Sequence, residues 1–303
     1  SGRLPAVSAA LITNLSSSTK SASDPTITTN PSGGVGTEWH NTTSGESYIC
    51  TDATAGANIW TNVGAGSGNV NPWAYPGESF GYLAGGTAAY SAVVDVIDKH
   101  SFTTDGAATD VGNLTATLSN TGSVGQSSAT HGYACGGGSN RIEKYSFSTD
   151  GNAADVGDLT LAPSGVAGQS STTHGYASGG YITSPTGPYN RIDKFPFATD
   201  TDATDWADIT LARSEPAGCS SATYGYTIGG NPTTDVIDKF PFASQTNASD
   251  VGNLLSGKGG GGSASSTLTY GYSHGGYPLG NVLQKFSFTT DGNATDVADM
   301  VHD

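Results

Sequence analysis

Five times between Val96 and Phe288 the chain alternates apolar and polar residues in nearly the same words: VIDKHSF, RIEKYSF, RIDKFPF, VIDKFPF and VLQKFSF. Ile or Leu, an aromatic or His, and Phe are set among polar residues, with the last two positions two apart and so on one face of a pleated strand, which predicts a half-buried strand each time. Ahead of each stands a Gly-Tyr-x-x-Gly-Gly phrase: GYLAGG, GYACGG, GYASGG, GYTIGG and GYSHGG. Behind each come a turn such as TDG and a short strand, DVGNL, DVGDL, DWADI, DVGNL or DVADM. A fourth strand is read in VGQSSATHGY, AGQSSTTHGY and AGCSSATYGY, leading into the next Gly-Tyr. Few segments keep a period of 3.6 over any length, so helix should be scarce.

The spacing of these phrases predicts an architecture. The tyrosines Tyr82, Tyr133, Tyr176, Tyr226 and Tyr272 are 51, 43, 50 and 46 residues apart. Four short strands per unit of about 45 residues describe the blade of a β-propeller. From the repeated lysine of strand two to the next tyrosine the count is nearly constant, at 34, 32, 32 and 33 residues. From the second glycine to that lysine it runs 13, 7, 14, 9 and 9. Length variation is therefore confined to the loop between the first two strands, the layout of a constant scaffold with one variable face. The last unit stops at DVADMVHD, and NPWAYPGESF precedes the first Gly-Tyr. Pairing that piece with the last unit is expected to close a ring of five blades over residues 73–303.

Composition narrows the partners. Lys plus Arg number 11 against 26 for Asp plus Glu, which disfavours nucleic acid and anionic membrane as partners, and no stretch predicts membrane insertion. The 44 glycines follow no collagen period and read as turn punctuation. Cys50, Cys135 and Cys219 are odd in number and scattered, so neither a disulfide framework nor a thiolate metal site is expected.

Each candidate for chemistry recurs with the repeat. His131 and His174 stand where other units carry Phe80, Tyr224 and Tyr270, so the slot is an aromatic packing position and not a general base. The lysines Lys99, Lys144, Lys194, Lys239 and Lys285 share one position and are expected to form a ring of ion pairs, to the Asp of the DVG strand: Asp110, Asp155, Asp205, Asp250 and Asp296. The Asp-rich turns offer two or three acids each, too few for a full calcium shell, so no cofactor is expected, with calcium as the one candidate. Acids outside the repeat, Glu38, Glu46, Glu78 and Glu215, are scattered, which speaks against paired-carboxylate hydrolysis and against an enzyme.

Ahead of the repeats, residues 1–35 read as an extended attachment segment with one short helix around Leu4 to Leu15. Residues 36–64 read as a small β-hairpin module with Trp39, Tyr48, Ile49 and Trp60 as its core. Residues 65–72 read as a Gly-rich linker. The stretch GTEWHNTTSGESYICTDATAGANIWTNVG resembles the small β module that precedes variable domains in tail-fibre and other virion proteins of tailed phages, notably marine ones. The units built from GYASGG, RIDKFPF and DVGDLT resemble kelch-like propeller repeats in virion structural proteins of marine phages, including those of cyanobacteria. The resemblance covers most of the chain after residue 36. It implies a kelch-like propeller in a non-enzymatic virion protein on the particle surface, joined to other virion proteins through its N-terminal segment; the small size of the module over residues 36–64 adds the expectation of a homo-oligomer.

On this reading the variable loops contact a host-surface glycan or protein. Tyr90, Asn140, Arg141, Tyr181, Tyr189, Asn190, Arg191 and Tyr277 lie on or beside them and suit sugar stacking and hydroxyl recognition. The alternative is an architectural capsid or tail decoration with no host ligand, its variable face packed against neighbours.

Overall fold

The computed structural model describes residues 18–63, 79–88, 92–118, 123–260, 262–276 and 280–301, and among them there is no helix. The chain divides into two compact units, Ser1–Ala74 and Tyr75–Asp303. The expected helix near Leu4, the linker and most of NPWAYPGESF lie outside the described residues.

The first unit is one sheet of four strands: β1 (Thr19–Ser21), β2 (Glu38–Asn41), β3 (Ser47–Asp52) and β4 (Ile59–Asn62), in that order. Part of the segment expected to be extended is built into the sheet, since β1 pairs parallel with β2. The chain after it is held as well, by Trp39 Nε1 donating to Ser23 O and Asn58 Nδ2 to Ile27 O. The core is Tyr48, Cys50 and Trp60, with Trp39 edge-on to Trp60 at 5.8 Å. Ile49 falls between Tyr48 and Cys50 on the strand and so faces the other way.

The second unit holds five sheets in chain order. The first is β5 (Phe80–Ala88), β6 (Ala92–Ser101) and β7 (Thr109–Asn113). The second is β8 (Ser123–Ser127), β9 (His131–Gly136), β10 (Arg141–Ser146) and β11 (Ala154–Asp158). The third opens with β12 (Ala167–Ser170) and β13 (His174–Ser178), carries a separate hairpin of β14 (Tyr181–Thr183) and β15 (Thr186–Pro188), and finishes with β16 (Arg191–Pro196) and β17 (Thr204–Asp208). The fourth is β18 (Ala217–Ser220), β19 (Tyr224–Ile228), β20 (Thr234–Pro241) and β21 (Ser249–Lys258). The fifth is β22 (Gly262–Ser266), β23 (Tyr270–Gly275), β24 (Val282–Ser287) and β25 (Thr295–Asp299).

Strand membership differs from the expectation. The GQSS-type strand does not complete the preceding unit; it pairs antiparallel with the Gly-Tyr strand that follows, as Gln169 opposite Tyr176 and Cys219 opposite Tyr226. A turn of only three residues, Ser171 to Thr173, joins β12 to β13, and so short a connection favours an antiparallel neighbour. Consecutive GQSS-type strands also pack on one another, β8 on β12, β12 on β18 and β18 on β22. The fifth sheet therefore has all four of its own strands, and the slot foreseen in it for NPWAYPGESF is already filled.

One seam chemistry joins neighbouring sheets. Four of the five repeated tyrosines lie nearly parallel on a phenylalanine of the next sheet: Tyr82 on Phe147 at 5.0 Å, Tyr133 on Phe197 at 4.8 Å, Tyr176 on Phe242 at 4.8 Å and Tyr226 on Phe288 at 4.7 Å. Such pairs are worth about 1 kcal/mol beyond the area they bury. The glycine before the tyrosine is required by its own sheet: a Cβ at Gly175 would stand 2.3 Å from the Phe195 ring, and one at Gly225 2.2 Å from Phe240.

The repeated lysines do not bond the DVG aspartates. Lys99, Lys144 and Lys239 reach forward to the turn aspartates of the next sheet, Asp150, Asp200 and Asp291, at 2.9, 2.8 and 2.5 Å. The acid before the lysine does further work. Buried Glu143, Asp193 and Asp238 each accept the backbone N–H and the hydroxyl of a threonine in the preceding sheet, Thr115, Thr160 and Thr210. In the fifth sheet Gln284 replaces the acid, Leu255 replaces the threonine, and one bond remains, Leu255 N to Gln284 Oε1 at 2.7 Å.

Candidate functional site

Each sheet has two ends. One carries the short turns with the lysine–aspartate pairs. The other carries the double-glycine loops and the segments that enter the first strand of each following sheet. The double glycines turn the chain in left-handed conformations, with φ of +64° and +121° at Gly179 and Gly180 and +59° and +120° at Gly229 and Gly230. Isolated bridges fasten these loops to the entry segments, Ser164 to Tyr181 and Ser214 to Asn231. The loop of variable length is thus tied to a rigid frame at both sides, and in the third sheet it rises as the β14–β15 hairpin, whose tip residues Thr183 to Thr186 are exposed.

Six of the eight sequence-predicted contact residues are described, and Tyr90 and Tyr277 lie outside the described residues. Tyr181 and Tyr189 flank the hairpin and are half-buried, and burial pushes the Tyr189 phenol well above its ordinary range. Tyr189 packs on the Gly180 backbone, where a Cβ would stand 2.9 Å from its ring. Asn190 is exposed and Asn140 half-buried, and their carbonyls accept Ile209 N and Leu159 N. The arginines have structural partners. Arg191 donates to Thr160 Oγ1 at 2.7 Å and pairs with Asp205 at 3.2 Å. Arg141 does the same with Thr115 Oγ1 and Asp155, at 3.3 and 3.4 Å. They take the DVG aspartates that the sequence reading gave to the lysines.

A set of charges gathers at this same end, of which sequence reasoning missed Arg213 and Lys258 and read Glu215 only as a scattered acid outside the repeat. Arg213 is fully buried, donating through Nη2 to Thr227 O at 3.0 Å and to Asp238 Oδ2 at 2.9 Å. Lys258 is 2% exposed; its ammonium donates to Ser263 O, Ser273 Oγ and His274 O, and burial lowers its pKa to about 8. Glu215 has φ of 54°, in a slot where the preceding sheet has Gly165 at φ +61°. Holding a non-glycine residue there costs about 1–2 kcal/mol. Its carboxylate lies over Gly260, where a Cβ would come within 1.5 Å of Oε2. The signal was present as departure from the repeat: Arg213 and Glu215 replace Pro163 and Gly165 in otherwise matched phrases.

Elsewhere the histidines hold their neighbours: His131 and His174 hydrogen-bond through Nδ1 with Thr130 and Thr173, each at 2.8 Å, and burial lowers both imidazoles. Cys135 and Cys219 are buried free thiols in different sheets, and burial pushes Cys135 up to about 12. Among the described residues no group of three or more His, Cys, Asp or Glu could hold a metal ion. A cavity of about 350 Å³ lies at the turn end of the first sheet, beside Phe80 and the Lys99–Asp150 pair, away from the variable loops.

No family model matches this sequence, and no curated protein matches it. Among 222 solved chains that do match in structure, one described as "Structure of YjhT" superposes with a TM-score of 0.57, over 84% of this chain and 91% of that one. The identity is 12%, so the likeness concerns the fold alone.

Proposed function

We propose that the five sheets are the blades of a kelch-like propeller in a non-enzymatic virion protein, and that its double-glycine loop end adheres to a host-surface glycan or protein. One observation carries the adhesion reading. Variable loop length, exposed hairpin residues and the non-repeated Arg213, Glu215 and Lys258 all fall at one end of the sheets, while the seams repeat almost unchanged. A scaffold that repeats its frame and varies one end suits recognition. The exposed groups at that end, Asn190 beside half-buried Tyr181 and Tyr189, match hydroxyl-rich ligands.

The test is to replace Tyr181–Tyr189 of the third sheet with the short Gly138–Ser139 connection of the second, then compare binding to a glycan array and to intact host cells. Adhesion predicts loss of binding by the shortened chain with the sheets still folded by circular dichroism. Equal binding by both chains, or burial of the loop end against other virion proteins, would favour the architectural alternative.

A further inference from the structure

Every internal seam has a giving side and a receiving side. The giving sheet offers its tyrosine and lysine, and the receiving sheet offers a phenylalanine and, in three of the four seams, the aspartate of its turn; the third-to-fourth seam has Gln245 there. The fifth sheet offers Tyr272 and Lys285, with Lys285 resting 4.6 Å over the ring of Tyr270, and among the described residues no phenylalanine stacks on Tyr272 and no aspartate pairs with Lys285. The first sheet offers Phe102 and Asp105, and among the described residues no tyrosine stacks on Phe102 and no lysine pairs with Asp105. Phe102 is 57% exposed, whereas Phe147, Phe197, Phe242 and Phe288 in the same slot are partly buried. Among the described residues no hydrogen bond, ion pair or ring contact joins the first sheet to the fifth.

We propose that these two faces are the halves of one interface between copies of this chain, the fifth sheet of one copy seating on the first sheet of the next. Tyr272 stacks on Phe102 of the second copy and Lys285 pairs with its Asp105, at the register of the internal seams. Complementary charge and a repeated aromatic slot specify the occupant; a partner unrelated to the repeat would not call for this pair. The remaining seam contacts show why this junction joins molecules and does not hold the fold. In the internal seams Asn152, Asp202, Asn247 or Asn293 accepts a backbone N–H from the preceding sheet, and the first sheet has Ala107 there. Three of the four internal seams place a threonine hydroxyl on the buried acid, and the fifth sheet has Val301 in that position. The end seam keeps the ring and the ion pair and lacks the backbone clasps, which makes it weaker than the internal ones. Because the two halves differ, the association is heterologous and grows as a ring or a filament.

The experiment is light scattering with size-exclusion chromatography on the full chain and on two variants, Lys285→Asp and Asp105→Lys. The wild type is expected to show a mass that rises with concentration in multiples of 30.4 kDa. Each variant alone places like charges at the junction and should associate about tenfold more weakly. Mixing the two variants restores an opposite-charge pair at every alternating junction and should recover the association. Phe102→Ser should weaken association in the same way while leaving the far-ultraviolet dichroism unchanged. A wild type that stays at 30.4 kDa at every concentration overturns the proposal, as does a mixture no better than its components. Rescue only when both reversals sit in one chain, at constant monomer mass, would show that the two faces close within the molecule.

Discussion

The threonine–acid clasp can be transplanted between seams, and the outcome tests whether the seams are interchangeable units. In the seam between the third sheet and its predecessor, Asp193 is 1% exposed and accepts Thr160 N at 2.9 Å and Thr160 Oγ1 at 2.7 Å. Thr160→Leu removes a hydroxyl donor from a buried carboxylate, and a hydrogen bond to a charged group contributes about 1.5–3 kcal/mol. The same change takes from Arg191 its acceptor at 2.7 Å. Asp193→Gln keeps an acceptor for Thr160 N but leaves the hydroxyl with a poorer partner, at a cost of about 1–2 kcal/mol. The two changes together write the arrangement found between the fourth and fifth sheets, where Leu255 and Gln284 share a single bond. The double variant should therefore be less destabilised than the sum of the singles, with a coupling of about 1 kcal/mol or more. Equilibrium urea denaturation of the full chain, followed by circular dichroism at unchanged m-value, measures it. A double variant equal to the sum within about 0.3 kcal/mol would refute the reasoning, because independent sites add to that precision.

Three further outcomes are expected. Gly175→Ala drives a methyl to within 2.3 Å of the Phe195 ring and should cost about 1–3 kcal/mol, read as a lower thermal midpoint; an unchanged midpoint would contradict the packing argument. Gln245→Asp supplies the turn acid that the third-to-fourth seam lacks, where burial lowers the pKa of Lys194 and its ammonium rests 3.5 Å over the Trp206 ring. The new pair should raise the Lys194 pKa and add about 0.2–1 kcal/mol, and a titration of the lysine side-chain resonances that does not move would count against it. The Lys258 ammonium, with its pKa lowered to about 8, holds fewer protons in the folded than in the unfolded chain between about pH 8 and its ordinary 10.5. Stability should therefore rise with pH across that window and level off above it. Lys258→Met should flatten the rise, and a slope that survives the substitution would assign it to another group.

The strands and the residues that recur in them were legible because they repeat. Tyr133, Phe195, Phe197 and Lys144 each recur at a fixed count, and alternation alone puts the rings on one face. What alternation does not give is which neighbour a strand chooses. GQSS could belong to the unit before or after it, and the deciding feature is the three-residue turn from Ser171 to Thr173 against the longer path from Asp158 to Ala167. The lysine partners were misread for a related reason. The DVG aspartates lie opposite the acid that precedes each lysine, Asp193 facing Asp205, whereas the turn aspartate that bonds the lysine comes from another sheet. Arg213 and Lys258 were hidden by the same regularity, since attention to what recurs passes over what replaces it, and Glu215 was seen to stand outside the repeat without its neighbours at the loop end.

The loop end as a recognition surface is tested most directly by a structure of the protein on its assembled particle. The account predicts that the β14–β15 hairpin and the Asn190 and Asn231 loops point into solvent, free of neighbouring subunits. The same loops packed into an interface with other particle proteins would contradict it.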